Sequence, residues 1–288
     1  MNPLVTVEWL NEQLNSPDNP DSKGAPTIAV LDATLPPVGV TPAPDVRGRY
    51  LAGHIPGAVY FDIEEFSDHS TSLPHMLPSP EEFARKISAL GVSDSMAIVV
   101  YEQTGVFSAP RAWWMLRTFG AQKVYLLDGG LKAWMDAGLP LQTGEVALTP
   151  AAFSAKFHAE AVRSFDQVQG ILAEHGQILD ARSAGRFAGT APEPRPGLSS
   201  GHMPGATSVP FTELVEDGRL KDADQLGELF QAKGIDLNES ITTTCGSGVT
   251  AAVIALGLEI VGAQNVSLYD GSWAEYAQRI EATIKGNV

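Results

Sequence analysis

The sequence predicts an α/β protein built from two tandem copies of one domain, each a parallel sheet flanked by helices. Three segments of the first half return in the second half in the same order. In both halves, short apolar runs alternate with segments of helical periodicity, which is typical of a parallel sheet with helices on both faces. A chain of 288 residues is long enough for two such domains.

The repeated segments are a Gly-His-x-Pro-Gly-Ala turn, an apolar run that ends in Asp-Ala and an apolar run that ends in an Asp-Gly turn. They pair Gly53–Ala58 with Gly201–Ala206, Val30–Ala33 with Ile178–Ala181, and Val124–Gly130 with Val266–Ser272. The offset is identical for the first two pairs and slightly shorter for the third. Agreement of this kind indicates a duplicated domain.

The strands and helices follow from the periodicity within each half. In the first half we expect strands at Thr27–Leu31, Ala97–Tyr101 and Lys123–Leu127, and helices at Glu81–Leu90 and Pro110–Phe119. In the second half we expect strands at Gln177–Leu179, Ile241–Thr244 and Asn265–Tyr269, and helices at Phe165–Glu174, Asp224–Lys233, Thr250–Val261 and Trp273–Ile280. The expected domains are residues 1–145 and 162–288, joined by a linker at 146–161.

Composition and charge exclude several classes of function. The chain carries 34 acidic and 19 basic residues, a formal charge of −15, so a nucleic acid would be repelled. The start of the chain lacks the pattern of a secretory signal, and the longest apolar stretch, Ala251 to Ala263, is too short for a membrane span. We therefore expect a cytoplasmic protein that binds neither nucleic acid nor membrane.

Cys245 is the only cysteine of the chain and lies where a β-branched run ends and a small-residue apolar helix begins. Backbone N–H groups of the glycine-rich loop that follows point inward, and the positive end of the next helix adds to them. Both favour a thiolate, so we expect a reactive thiol in an uncharged amide cradle. A buried cysteine that only packs is the alternative.

The residues around Cys245 narrow the chemistry further. A cysteine-dependent phosphatase needs an arginine that closes its loop, yet no Arg or Lys occurs between Ile241 and Arg279. A Cys–His protease stays open, although the short cradle suits a sulfur-centred anion better than a peptide. One cysteine and scattered histidines do not make a zinc site, and we expect neither metal nor cofactor.

The duplicated halves, the two Gly-His-x-Pro-Gly-Ala segments and the Cys-Gly-Ser-Gly-Val-Thr loop resemble the tandem rhodanese-domain sulfurtransferases over nearly the whole chain. Within that family the loop resembles the 3-mercaptopyruvate sulfurtransferases, because thiosulfate-specific members carry an Arg and a Lys after the cysteine. The resemblance implies two tandem rhodanese-like domains, an N-terminal one without a nucleophile and a C-terminal catalytic one.

The resemblance also implies a reaction. Cys245 would take the sulfur of 3-mercaptopyruvate as a persulfide, release pyruvate and pass the sulfur to an acceptor. That acceptor would be cyanide or a thiol, such as the thiol of a thioredoxin-like protein. Arg186 and Arg195 would hold the substrate carboxylate with their guanidinium forks. Backbone N–H groups of the loop would hold the outer sulfur, from Gly246, Gly248, Val249 and Thr250.

Proton transfer is the remaining requirement, and the resemblance suggests a relay of Ser247, His54 and Asp45. Ser247 follows the nucleophile by two residues, and Asp45 would fix the tautomer of His54. An equally good interpretation is that His54 stabilises its turn, because the same turn returns around His202, for which we favour the structural role.

Two other functions stay open at this point. One is sulfur transfer from thiosulfate to cyanide, which uses the same persulfide. The other is a module without catalytic activity of its own, which accepts a persulfide from a partner protein and relays it.

Overall fold

The computed structural model describes residues 2–17, 19, 27–279 and 282–286. By its contacts the chain divides into two compact units. The first unit comprises residues 1–36, 44–66 and 78–158, and the second comprises residues 37–43, 67–77 and 159–288. The expected boundaries at 145 and 162 cut the chain into continuous stretches. The two units are not continuous in sequence, because residues 37–43 and 67–77 of the N-terminal half belong to the second unit.

The first unit contains a parallel sheet with the strand order β1–β5–β4–β2–β3. Its strands are β1 (Leu4–Val5), β2 (Ile28–Asp32), β3 (Val59–Tyr60), β4 (Ala97–Tyr101) and β5 (Val124–Leu127). Its helices are α1 (Val7–Leu14), α2 (Val46–Ala52), α3 (Pro80–Ala89), α4 (Ala109–Thr118) and α5 (Gly130–Asp136). Strand β4 is apolar throughout and lies in the middle of the sheet, as expected for a strand covered on both faces.

The second unit repeats this arrangement with the strand order β6–β12–β11–β7–β8, again parallel. The strands of this sheet are β6 (Val162–Arg163), β7 (Gln177–Asp180), β8 (Thr207–Ser208), β11 (Ile241–Thr244) and β12 (Val266–Tyr269). A small antiparallel pair is formed by β9 (Val215–Glu216) and β10 (Arg219–Leu220). Its helices are α6 (Phe165–Ala173), α7 (Ala184–Ala188), α8 (Ala223–Ala232), α9 (Ala251–Ile260) and α10 (Ser272–Tyr276).

The identical strand order of the two sheets confirms the predicted α/β architecture and the duplication. Helix ends are fixed by local capping, for example by Ser164 and Gln167 at α6 and by Asp222 and Gln225 at α8, where side chains and backbone N–H groups bond reciprocally. No helix among the described residues combines the length and apolarity that a membrane crossing requires.

The middle of the second sheet positions the cysteine loop. Strand β11 is buried although three of its four residues are threonines, and the hydroxyl groups of Thr242 and Thr243 bond to Ser267 on β12. Helix α9 is buried over Ala251–Leu258 and packs closely, since a Cβ added at Gly257 would lie 2.8 Å from a side-chain atom of a neighbouring leucine. The six residues between β11 and α9 are thus held at both ends by rigid elements.

Candidate active site

The loop that carries Cys245 is anchored at its base to the start of α10. The backbone N–H of Cys245 donates to Ser272 Oγ at 3.3 Å. The carbonyl oxygens of Cys245 and Gly246 accept from the N–H groups of Trp273 and Ala274 at 2.9 and 3.0 Å. Cys245 itself is 2% exposed. The nucleophile predicted from the sequence therefore lies in a rigid, largely enclosed place at the carboxyl end of a central strand.

The rest of the loop turns directly into α9. Gly248 has a φ of +78°, a left-handed conformation that glycine adopts without steric cost. The carbonyl oxygens of Val249 and Thr250 accept from backbone N–H groups of α9 at 3.2 and 3.1 Å, which begins the helix. The positive end of a ten-residue helix follows the loop immediately, as the sequence predicts.

Two arginines lie beside the loop. A Cβ built on Gly246 would be 2.9 Å from Arg186 Nη2 and 3.6 Å from Arg195 Nη1. Arg195 Nη2 also donates to Ser247 Oγ at 3.1 Å. The structure thus brings both members of the predicted carboxylate clamp to the nucleophile loop. The loop itself carries no charged residue, so the cations beside it come from an earlier segment of the chain.

Arg186 belongs to a buried chain of alternating charges. Asp180, at the end of β7, holds the guanidinium of Arg182, which also stacks on the Trp273 ring at 4.0 Å. Glu193 accepts from Arg182 on one oxygen and from Arg186 on the other. Burial lowers the pKa of Arg182, but the carboxylates of Asp180 and Glu193 outweigh burial and raise that pKa above its usual value. Arg182 therefore stays positively charged. The row of ion pairs that it belongs to ends at Arg186.

His75 is the site residue that the sequence reasoning missed. Its Nδ1 lies 2.9 Å from Ser247 Oγ, and its side chain is buried. Because Arg195 donates to the same Oγ, the hydroxyl proton of Ser247 is available to His75 Nδ1, which then acts as acceptor. The φ of His75 is +60°, an unusual conformation that is concentrated at functional sites. The segment is secured nearby, where the N–H of Leu77 donates to Asp270 Oδ2 at 2.7 Å.

His54 and Asp45 belong to the first unit, where each has a structural task. His54 is fully buried, its Nδ1 lies 2.8 Å from the carbonyl oxygen of Tyr50, and its ring stacks on the Tyr50 ring at 4.2 Å. Asp45 caps α2 by accepting from the N–H of Gly48 at 2.7 Å. The histidine that bonds to Ser247 is His75, so the relay written with His54 and Asp45 stays a prediction that these contacts do not support.

The repeated turn shows why His54 recurs in the sequence. In the second unit, His202 Nδ1 lies 2.8 Å from the carbonyl oxygen of Phe187. The imidazole ring of His202 stacks on the phenyl ring of Phe187 at 4.0 Å. The two histidines thus make the same backbone hydrogen bond and the same ring stack in both units. A side chain that does the same work in each copy is explained by the fold of the copy itself.

Comparisons with known proteins agree with the duplicated architecture. The rhodanese-like domain matches the chain twice, over residues 6–137 and 164–279. The chain belongs to the rhodanese-like family. A rhodanese-like relative from Escherichia coli K12, a 3-mercaptopyruvate sulfurtransferase, is 46% identical over 98% of this chain and 97% of its own length. The 3-mercaptopyruvate sulfurtransferase of Rattus norvegicus is 41% identical over 96% of this chain and 93% of its own.

A solved rhodanese-fold structure gives the same result. The crystal structure of SseA from Escherichia coli, described as a 3-mercaptopyruvate sulfotransferase, matches with a TM-score of 0.84 and 44% identity. The match covers 96% of this chain and all of that one. The tandem rhodanese-like resemblance stated from the motifs is therefore confirmed over nearly the full length.

Proposed function

We propose that this rhodanese-like protein is a 3-mercaptopyruvate sulfurtransferase that moves sulfur through a persulfide on Cys245. The observation that carries the proposal is the placement of Arg186 and Arg195 next to the loop of the lone cysteine. Two guanidinium groups beside Gly246 suit the carboxylate of a small keto acid whose sulfur reaches the thiol. The similar proteins of Escherichia coli and Rattus norvegicus, which bear that name, support the same substrate.

The first step is a displacement at sulfur. The thiolate of Cys245 attacks the sulfur of 3-mercaptopyruvate, and the bond between that sulfur and the methylene carbon breaks. The electron pair of the broken bond stays on carbon, so pyruvate leaves as its enolate and becomes pyruvate when carbon gains a proton. Cys245 then carries one additional sulfur, which the loop amides from Gly246 to Thr250 and the start of α9 stabilise.

The proton transfers are assigned to Ser247 and His75. Attack requires removal of a proton from a thiol, and the enolate requires one. Ser247 is two residues from the nucleophile and hydrogen-bonded to His75 Nδ1, so the pair can move a proton between the loop and the imidazole. This assignment replaces His54 and Asp45, whose contacts hold a turn and a helix start.

The second step returns the enzyme to its resting state. A thiol or cyanide attacks the outer sulfur of the persulfide, and Cys245 leaves as the thiolate. A thioredoxin-like protein is the macromolecular acceptor that we propose for this step. We place the reaction in the cytoplasm, because a single free cysteine and a thiol acceptor suit a compartment that keeps thiols reduced.

Thiosulfate is the second candidate donor. The same two arginines could hold its sulfonate oxygens, which is the observation in its favour. The loop itself, however, offers no cation of its own for the second negative charge of thiosulfate. Steady-state rates with both donors separate the candidates, and a higher kcat/KM for thiosulfate would reject 3-mercaptopyruvate as the main substrate.

The decisive experiment is mass spectrometry of the intact chain after mixing with 3-mercaptopyruvate, together with an assay for pyruvate. We expect the mass of one added sulfur atom and an equal amount of pyruvate. The Cys245→Ser variant should keep its melting temperature and show neither product. Persulfide delivered by another protein without any pyruvate release would support the relay module instead.

A further inference from the structure

We propose that Glu193 is a positioning residue, which holds the guanidinium of Arg186 so that one fixed edge of it receives the carboxylate of the substrate. The inference rests on the proposed function, because it concerns the donor site of the same reaction. In the contacts of the described residues, the Glu193 carboxylate bonds to Arg182 and Arg186 and not to the cysteine loop.

The position of Glu193 is itself well defined. Its side chain is 1% exposed. Its Oε1 accepts from Arg182 Nη1 at 2.8 Å, and its Oε2 accepts from Arg186 Nε and Nη2 at 3.1 and 2.5 Å. Each carboxylate oxygen of Glu193 therefore accepts from a different guanidinium group. The side chain of Glu193 thus links the two arginines in one hydrogen-bonded network.

Arg182 provides the rigid end of this unit. Its guanidinium is fully buried, bonded to both oxygens of Asp180 and to the carbonyl oxygen of Gly201, and stacked on Trp273. Arg186 is the outer end, with 22% of its side chain exposed. A long side chain at that exposure loses considerable rotamer freedom when it is fixed, and the buried carboxylate of Glu193 is what fixes it.

The contact with Glu193 decides which part of Arg186 is left for a ligand. Glu193 takes the edge formed by Nε and Nη2, so the edge formed by Nη1 and Nη2 remains for a second carboxylate. Nη2 also lies against Gly246, where a Cβ would approach to 2.9 Å. The guanidinium is thus held between Glu193 and the loop backbone with one edge open for bidentate binding.

The direction in which KM changes in Glu193→Gln distinguishes a positioning role of Glu193 from an effect of its charge alone. Glu193 is negative and borders the place where an anionic substrate would bind, so its charge alone weakens the attraction for a carboxylate. If Glu193 acted only through charge, Glu193→Gln would lower KM. If Glu193 positions Arg186, the same change raises KM, because the amide offers one acceptor and its NH₂ group faces another guanidinium.

The test measures KM and kcat for 3-mercaptopyruvate in the Glu193→Gln and Glu193→Asp variants. The Asp variant keeps the charge but withdraws the carboxylate by one methylene. We expect KM to rise about tenfold or more in both, with kcat changed by less than about twofold. Glu213→Gln is the matched control, since Glu213 is exposed and pairs with the partly exposed Lys233 in the same unit.

A second readout excludes general damage to the fold. Cys245 persulfide, loaded in advance, is discharged by dithiothreitol in a single turnover, a step that involves no substrate carboxylate. We expect this rate to match wild type in both Glu193 variants. A KM that stays constant or falls in Glu193→Gln would overturn the proposal. So would loss of the folded state in both variants, or a discharge rate that drops along with kcat.

Measuring the binding of pyruvate tests the positioning role of Glu193 independently of the proposed reaction. Pyruvate carries the same carboxylate, and calorimetry measures its Kd without any turnover. If wild type releases no pyruvate from 3-mercaptopyruvate, the proposed function fails, while a weaker Kd for pyruvate in both Glu193 variants still supports the positioning role. If wild type turns over and Kd is the same in all variants, the positioning role fails and the function stands.

Discussion

Glu102 occupies in the first unit the position that Cys245 occupies in the second. Their backbones make an equivalent hydrogen bond: the carbonyl oxygen of Glu102 accepts from Leu131 N–H at 3.0 Å, and that of Cys245 accepts from Trp273 N–H at 2.9 Å. The third residue after each is a glycine in the left-handed conformation, Gly105 with a φ of +72° and Gly248 with a φ of +78°. The first unit therefore carries a carboxyl group at the position where the second unit carries the thiol.

The carboxyl group of Glu102 shows what this loop shape can hold. Its Oε1 accepts from the backbone N–H groups of Phe107, Ser108 and Ala109 at 2.6, 3.1 and 3.2 Å, at the start of α4. In the second unit, Val249 and Thr250 directly precede helix α9, and their N–H groups are among those that we propose for the outer sulfur. The two loops thus differ in the group that they surround, a side-chain carboxyl in one and a transferable sulfur in the other.

Glu102→Gln should change how stability depends on pH. Burial raises the pKa of Glu102 to about 7, although the hydrogen bonds from backbone N–H groups act in the opposite direction. A carboxyl group with a raised pKa stabilises the folded state below its unfolded pKa, and this contribution is lost as pH rises through the folded pKa. Relative to the variant, wild type should lose roughly 3 kcal/mol of unfolding free energy between about pH 4 and pH 8.

Urea unfolding across that pH range measures the difference for Glu102. The amide oxygen of Gln can keep the three N–H bonds while its NH₂ group faces Ser108 Oγ, which bonds to the other carboxyl oxygen in wild type. The variant should therefore fold. Stability curves that run parallel for the two proteins would contradict the raised pKa.

Substitution of His75 should lower the catalytic rate, whereas substitution of His54 should lower the stability of the fold. His75→Gln should lower kcat by about a hundredfold or more, because general acid–base groups contribute on that scale. His54→Ala should instead lower the melting temperature and reduce the unfolding free energy by about 2 kcal/mol or more, because it removes a buried ring stack and a hydrogen bond. Its kcat per folded molecule should stay near that of wild type.

His202 supplies the control for this comparison. His202→Ala removes the same hydrogen bond and ring stack from the second unit, so it should destabilise as His54→Ala does. A large fall in kcat for folded His54→Ala, with His75→Gln unaffected, would restore the relay through His54 and Asp45.

Much of the fold could be predicted from the sequence because the repeat and the periodicity agree. Strands β4 and β11 were placed at their observed bounds, and the predicted helices at α3, α4, α6, α8 and α9 lie within one residue of the observed ends. The end of the helix predicted at Trp273–Ile280 lies outside the described residues, and α10 as described ends at Tyr276. Two-residue strands such as β1 and β6 were missed, because so short an apolar run carries no periodicity.

The site was predictable only where it is local in sequence. Cys245 and its loop form one continuous motif, and Arg186 and Arg195 came from the resemblance. His75 could not be found this way, since 172 positions separate it from Ser247 and it has no counterpart in the repeat. The available signal was weak: a histidine in a stretch without periodicity, between β3 and α3.

Arg186→Lys should show that the shape of the guanidinium matters as well as its charge. A lysine keeps one positive charge but cannot bind Glu193 and a substrate carboxylate with separate edges. We expect KM for 3-mercaptopyruvate to rise about tenfold or more, as charge-assisted hydrogen bonds contribute roughly 1.5–3 kcal/mol each. Steady-state kinetics measures this, with Arg186→Ala as the more severe change. Equal KM values for Arg and Lys would mean that charge alone suffices.

Gly246→Ala should disturb the substrate site while leaving the fold intact. The added Cβ would lie 2.9 Å from Arg186 Nη2 and 3.6 Å from Arg195 Nη1, so a guanidinium must move. The end of a long side chain moves at little cost to stability, but Arg186 would leave the position in which Glu193 holds it. We therefore expect a raised KM and a nearly unchanged melting temperature.

Gly227→Ala is the matched control for Gly246→Ala. Gly227 lies within α8, and a Cβ there meets no atom within 4 Å, so the change should stabilise the helix by up to about 1 kcal/mol and leave KM alone. An unaltered KM in Gly246→Ala would show that the two arginines tolerate a methyl group at the loop, and the clamp would then have to bind its carboxylate elsewhere.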